Sequence, residues 1–166
     1  LEQDLGNHTQ ALRYYAQSVQ RNPQDADGHY GMALASRNLG LLDKAIEFYE
    51  RSLELEESAS TLVGLAVAKV QLSDIEGAAE LVERAENAGP EQAETWVNMA
   101  IVAHLNFEYG DRELYLVEAR NAGYDTTSLQ NVFSGASLEE VIALVDVEKA
   151  QNNEFAQDII SNLNLE

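Results

Sequence analysis

Apolar and small residues fall along this chain in pairs of helical patterns, and the pair itself recurs. Between Ala26 and Glu57, Tyr30, Ala33, Leu34 and Arg37 lie on one helix. Beyond a turn around Asn38-Leu39-Gly40, a second pattern carries Ala45, Ile46, Tyr49 and Leu53. Spacings of three and four residues put each set on one side of an α-helix. Ala45 returns as Ala11 and Ala78, Tyr49 as Tyr15 and Val82, Ser52 as Ser18, Ala85 and Ala119, and Glu57 as Pro23 and Pro90, in steps of 34, 33 and 34 residues. A fixed period of this size predicts an all-α fold, an α-solenoid of helix hairpins, because no single hairpin can bury its own apolar face.

In chain order, a half-helix from Leu1 to Leu5 and a turn at His8 are expected to precede a helix over Thr9–Arg21, which Asn22-Pro23 stops. The tripeptide Asn7-His8-Thr9 has the form of a glycosylation acceptor, a pattern that also arises often by chance. In the next unit Glu47 and Arg51 are spaced to pair along an exposed helix face. Leu62, Val63, Leu65, Ala66, Val67, Ala68, Val70 and Leu72 then make a helix apolar on nearly every side, which must be covered on more than one. After a turn at Ser73-Asp74, Glu76, Glu80 and Glu83 line an exposed helix face. Trp96 is expected to face inward, Asn106 to Asp111 form an aromatic turn, and a helix follows over Arg112–Asn121. Gly89 and Gly123 end parallel sequences and predict left-handed helix stops. Beyond Asp125 the period disappears. Thr127-Ser-Leu-Gln130 and Ser137-Leu-Glu-Glu140 have the form of capping boxes, predicting a short helix and a longer one from Leu138 to about Ala150. Asn152-Asn153 breaks the chain, and Phe155, Ile159, Ile160 and Leu163 predict a final amphipathic helix.

Trp96, Met99, Ala100 and Ala103, then Ala11 with Tyr15 and Ala45 with Tyr49, then Pro23 and Pro90, together resemble the tetratricopeptide repeat. On that register residues 1–125 are a repeat array, with a truncated unit (1–25) and units 26–58, 59–92 and 93–125; residues 126–166 are a non-repeat helical cap. His29 and Lys69 depart from the pattern, and Arg112 replaces the small residue where two helices should touch, so the fourth unit is expected to pack irregularly. The resemblance implies that the first helix of each unit lines a concave surface. Its inward positions map to Asp27, Tyr30, Leu34 and Arg37; Ser60, Val63, Val67 and Val70; and Glu94, Val97, Ile101 and His104. Tyr30, Leu34 and Gly64 break the basic and asparagine clamp by which some members hold a chaperone's terminal carboxylate, so a chaperone tail is not the expected ligand.

Charge changes this picture at the rim. With 10 Lys and Arg against 29 Asp and Glu the formal net charge is −19, a surface that repels phosphate backbones and anionic lipid. Nucleic acid is therefore excluded as a partner, and basic protein segments are attracted. No apolar run is long enough to span a bilayer and no signal-peptide pattern opens the sequence, so the location is left unknown, with a cytoplasmic one the favoured expectation. There is no cysteine, and His8, His29 and His104 have no partner at metal-ligand or catalytic spacing. No catalytic residue, metal ligand or cofactor is expected. The expected function is that of an interaction scaffold or adaptor, without turnover, that takes a peptide or amphipathic helix with basic flanks into an apolar groove formed by Tyr30, Leu34, Arg37, Val63, Val67, Val70, Val97, Ile101 and His104. The alternative is a structural module whose groove is filled by its own Leu138–Leu163 region or by a second copy as a homodimer.

Overall fold

The structure, a computed structural model, describes residues 2–145 and 154–163. The described residues are helices and turns, and the chain divides into two compact units: Leu1–Glu57 with Val147–Glu166, and Ser58–Asp146.

The first unit contains α1 (Glu2–Arg21), α2 (Ala26–Asn38), α3 (Leu42–Leu55) and α10 (Glu154–Ser161). Helix α2 packs against both α1 and α3, and α10 lies on α1. Leu12, Val19, Met32, Leu39 and Tyr49 are fully buried and form its core. Small residues set the closeness of the crossings. A β-carbon at Gly31 would fall inside the ring of Tyr15, so α1 and α2 meet backbone against aromatic face. The Ser52 hydroxyl donates to the Ala26 carbonyl across the hairpin at 2.9 Å, satisfying a group at the amino end of α2.

The second unit contains α4 (Ala59–Gln71), α5 (Ile75–Asn87), α6 (Ala93–Leu105), α7 (Tyr109–Asn121), α8 (Thr127–Gly135) and α9 (Leu138–Ile142). Helices α4 with α5 and α6 with α7 form hairpins, and α6 also packs on α4, α5 and α9. Leu62, Met99, Val102, Leu116 and Val141 are buried among them. The all-round apolar helix is α4, and ten of its thirteen residues are buried, as a helix without a polar face requires. Ser58 caps it by accepting from the Thr61 amide at 3.2 Å, and Asp74 caps α5 by accepting from the Gly77 amide at 3.0 Å.

One backbone solution closes all three hairpins. Gly40, Ser73 and Phe107 occupy the same repeat position and take left-handed backbone, with φ of 77°, 65° and 62°. The following amide then reaches back to the preceding helix: Leu41 to Ser36, Asp74 to Lys69 and Glu108 to Ala103, at 2.9, 2.9 and 2.8 Å. This pairing satisfies carbonyls that a helix end leaves open. Gly89 and Gly123 take the left-handed backbone expected of helix stops, with φ of 75° and 94°.

Four local expectations are corrected. Helix α1 runs unbroken through Gly6-Asn7-His8, since neither glycine nor asparagine removes a backbone donor as proline does. The cap of α8 is supplied two residues earlier than expected: Asp125 accepts from both the amide and the hydroxyl of Thr127, at 3.0 and 2.6 Å. Helix α9 stops at Ile142 rather than near Ala150 and passes into a turn; residues 146–150, like the break at Asn152-Asn153, lie outside the described residues. Arg51 pairs with Glu54 at 2.8 Å rather than with Glu47, which binds Lys44 at 2.9 Å. The Ser137–Glu140 capping box is formed in full.

Candidate functional site

The residues expected to line a groove separate by accessibility. On α2, Tyr30, Leu34 and Arg37 are each partly exposed. Spaced by four and three residues, they share one face of that helix. The Tyr30 ring leans on the buried Tyr49, centroids 6.0 Å apart. Burial pushes the Tyr49 hydroxyl up to about 12, against the opposing pull of the Arg37 charge and with a smaller push from Tyr30. Both Arg37 Nε and Tyr49 Oη are buried and have no hydrogen-bond partner among the described residues.

In the second unit the matching positions are mostly interior. Val63, Val67, Val70 and Ile101 are 1–4% exposed, and Val97 is partly exposed. An open apolar strip over these four residues is therefore corrected: their helices carry apolar groups on several faces, and the inward face is covered along with the rest. The same pattern that marked α4 as needing cover on more than one side accounts for this burial.

At His104 the second unit covers its own surface. Phe133 of α8 stacks on the imidazole, centroids 4.4 Å apart and planes 13° from parallel. Tyr109 meets the imidazole at 5.6 Å. Arg112 Nη1 donates to His104 Nδ1 at 2.9 Å, and because guanidinium can only donate, that nitrogen carries no proton. Burial, and then the Arg112 charge, hold His104 below the usual histidine value. The guanidinium also lies 4.9 Å from the Tyr109 centroid and 5.4 Å from that of Phe133, and its Nη2 binds Glu113 Oε1 at 2.7 Å. Arg112 thus makes a cation–aromatic cluster where the repeat pattern calls for a small residue. His29 is likewise structural in its contacts, its Nε2 lying 3.0 Å from the Pro23 carbonyl; His8 lies within α1.

Two features were not singled out from the sequence. A cavity of about 400 Å³ in the first unit is lined by Gly40 to Lys44 and by Gln157, Ile160 and Ser161 of α10. On α7, Leu114 and Val117 are 60% and 41% exposed, with Phe107 63% exposed just before the helix. Their signal was available in the repeat register: Leu114 stands where the two preceding units have Glu47 and Glu80, and Val117 where they have Glu50 and Glu83.

These hairpins, their period and their shared left-handed closure agree with a comparison of the sequence with known families. Residues 1–60 match the family model of the tetratricopeptide repeat. Over that stretch the chain is similar to the tetratricopeptide repeat. No curated protein matches the chain. Tetratricopeptide repeats generally mediate protein–protein interaction.

Proposed function

We propose that the protein is an adaptor without turnover of its own, and that it holds a peptide or amphipathic helix of a partner along the α2 face of Tyr30, Leu34 and Arg37. The observation that carries this reading is the pairing of accessibility with unmet polar capacity. Leu34 and Tyr30 offer apolar surface, while Arg37 Nε is buried and unpaired among the described residues. Nε itself is closed to a partner in this conformation, but the Arg37 side chain as a whole is partly exposed, and a peptide carbonyl or carboxylate brought there would meet a guanidinium that can only donate. The apolar part of the contact is small. Two partly exposed anchors return a few times ~1 kcal/mol against an association cost of ~4–15 kcal/mol, which favours micromolar over nanomolar affinity.

The second unit supports the alternative for its own part of the chain. Phe133 lies over His104, and α9 packs on α6, so that helix is covered from within by C-terminal elements.

Capture from a lysate of the source organism, read by mass spectrometry, tests the adaptor reading. Leu34→Glu and Arg37→Ala should each remove the same captured protein while leaving the helical circular dichroism unchanged. An unchanged captured set for both variants removes the α2 face from consideration. Light scattering showing a dimer that Leu34→Glu dissociates would replace the partner by a second copy.

A further inference from the structure

We propose that the outer face of α7 is a second docking surface, independent of the α2 face, and that it takes a basic amphipathic helix of a partner protein. In α3 the solvent face carries Asp43, Glu47 and Glu50; in α5 the matching positions are Glu76, Glu80 and Glu83; all six are exposed. In α7 the same register reads Gly110, Leu114 and Val117, and all three remain exposed. Packing among the described residues does not account for the change, since nothing in either unit covers the two aliphatic side chains. A carboxylate stripe that suits water has become an apolar one that does not.

A second observation comes from the backbone. The left-handed position of the hairpin is filled by Gly40 in one unit and by Ser73 in the next, but by Phe107 here. A residue with a β-carbon is disfavoured in that conformation by ~1–2 kcal/mol, and an aromatic ring that stays 63% exposed recovers little of it by burial. The ring sits at the amino end of the apolar stripe, 6.4 Å from Tyr109 centroid to centroid. Strain and exposure thus coincide at Phe107, two residues before the helix that carries Leu114 and Val117.

Charge selects the occupant. The two arginines of α7 turn to internal partners, Arg112 to Glu113 and His104, and Arg120 to Thr126 at 3.2 Å. Asp111 and Glu118, each about one turn from Leu114, are exposed, and their side chains have no hydrogen bond or ion pair among the described residues. The rim of the patch is therefore negative on a chain of formal charge −19. A second copy would bring the same carboxylates face to face. A helix with Leu- or Phe-type anchors flanked by lysine or arginine would match both the apolar strip and its rim.

The test uses a fluorescein-labelled Leu/Lys amphipathic peptide of about 18 residues, long enough to be helical when bound, and a scrambled peptide of identical composition. Binding is read by anisotropy to the full chain and to Leu114→Glu/Val117→Glu, which restores the residue type of α3 and α5 and is expected to fold. The double variant should bind the amphipathic peptide at least ~10-fold more weakly although it gains two negative charges, a loss of about 1.4 kcal/mol. Asp111→Asn/Glu118→Gln should weaken binding severalfold with the apolar strip intact. Equal or tighter binding by Leu114→Glu/Val117→Glu overturns the proposal, because bulk charge would then suffice. Equal binding of the scrambled peptide overturns it as well. So does a concentration-dependent dimer that only the double variant abolishes, which would make a second copy the occupant. None of these results bears on Leu34 or Arg37.

Discussion

The rings of His104 and Phe133 lie face to face, 4.4 Å between centroids, and the stack joins α8 to the last residues of α6. Because Arg112 donates to Nδ1, the stack is built around a neutral imidazole.

That neutrality makes the second unit sensitive to acid. The folded His104 titrates below the ordinary 6.5, chiefly through burial and then through Arg112. Its contribution to stability is present above 6.5, where the histidine of the unfolded chain is also neutral, and is lost as pH falls through that value toward the lower folded one. Protonation would also set a cation against Arg112. Relief of the general negative charge acts in the opposite sense, so the measurement is a difference. Urea midpoints of the wild type and His104→Gln, taken from about pH 7.5 to about pH 5.5, should show the wild type losing stability relative to the variant as pH falls. Parallel midpoints across that range would contradict the neutral stack.

The α1–α2 crossing predicts opposite signs for two glycine substitutions. Gly31→Ala would drive a methyl group into the Tyr15 ring and should cost ~1–3 kcal/mol through overpacking. Gly6 lies in helix α1 with open space where a β-carbon would stand, so Gly6→Ala should stabilise by ~0.5–1 kcal/mol. Chemical denaturation with an unchanged slope reads both. A harmless Gly31→Ala would mean that the two helices are not held at this distance.

Phe107 provides a third case. Phe107→Gly relieves left-handed strain at a residue whose ring is 63% exposed, and should raise the thermal midpoint through a gain of ~1 kcal/mol. The same variant should bind the amphipathic peptide more weakly. A lower midpoint would show that the Phe107 ring supports the hairpin, contrary to its exposure.

The sequence carried the hairpins because their determinants are local. Ala45 and Ala78 recur where backbones approach, and Gly89 and Gly123 stop helices by a conformation that glycine favours. It misjudged α1, where Gly6-Asn7 weakens a helix without breaking it, and α8, where Asp125 outcompetes the predicted Thr127–Gln130 cap by accepting two hydrogen bonds. The groove was the least legible part. Val63, Val67 and Ile101 have the same chemistry whether they line an open surface or fill an interior, and only the surrounding helices decide between the two. Tyr30, Leu34 and Arg37 remain accessible in part. Arg112 was recognised as a departure, but its role needs His104, Tyr109 and Phe133 to be brought together from three helices. The α7 face was readable in principle, since Leu114 and Val117 break an acidic register held by two earlier units.

At each hairpin tip the bend is held by main-chain amides reaching back to the helix they leave, whether the pivot is Gly40, Ser73 or Phe107. The path of the chain there is thus set by the main chain, at a backbone angle that glycine takes most easily. Ser73, exposed at the tip between α4 and α5, is a natural attachment point: a fluorophore set there should leave those two helices in register.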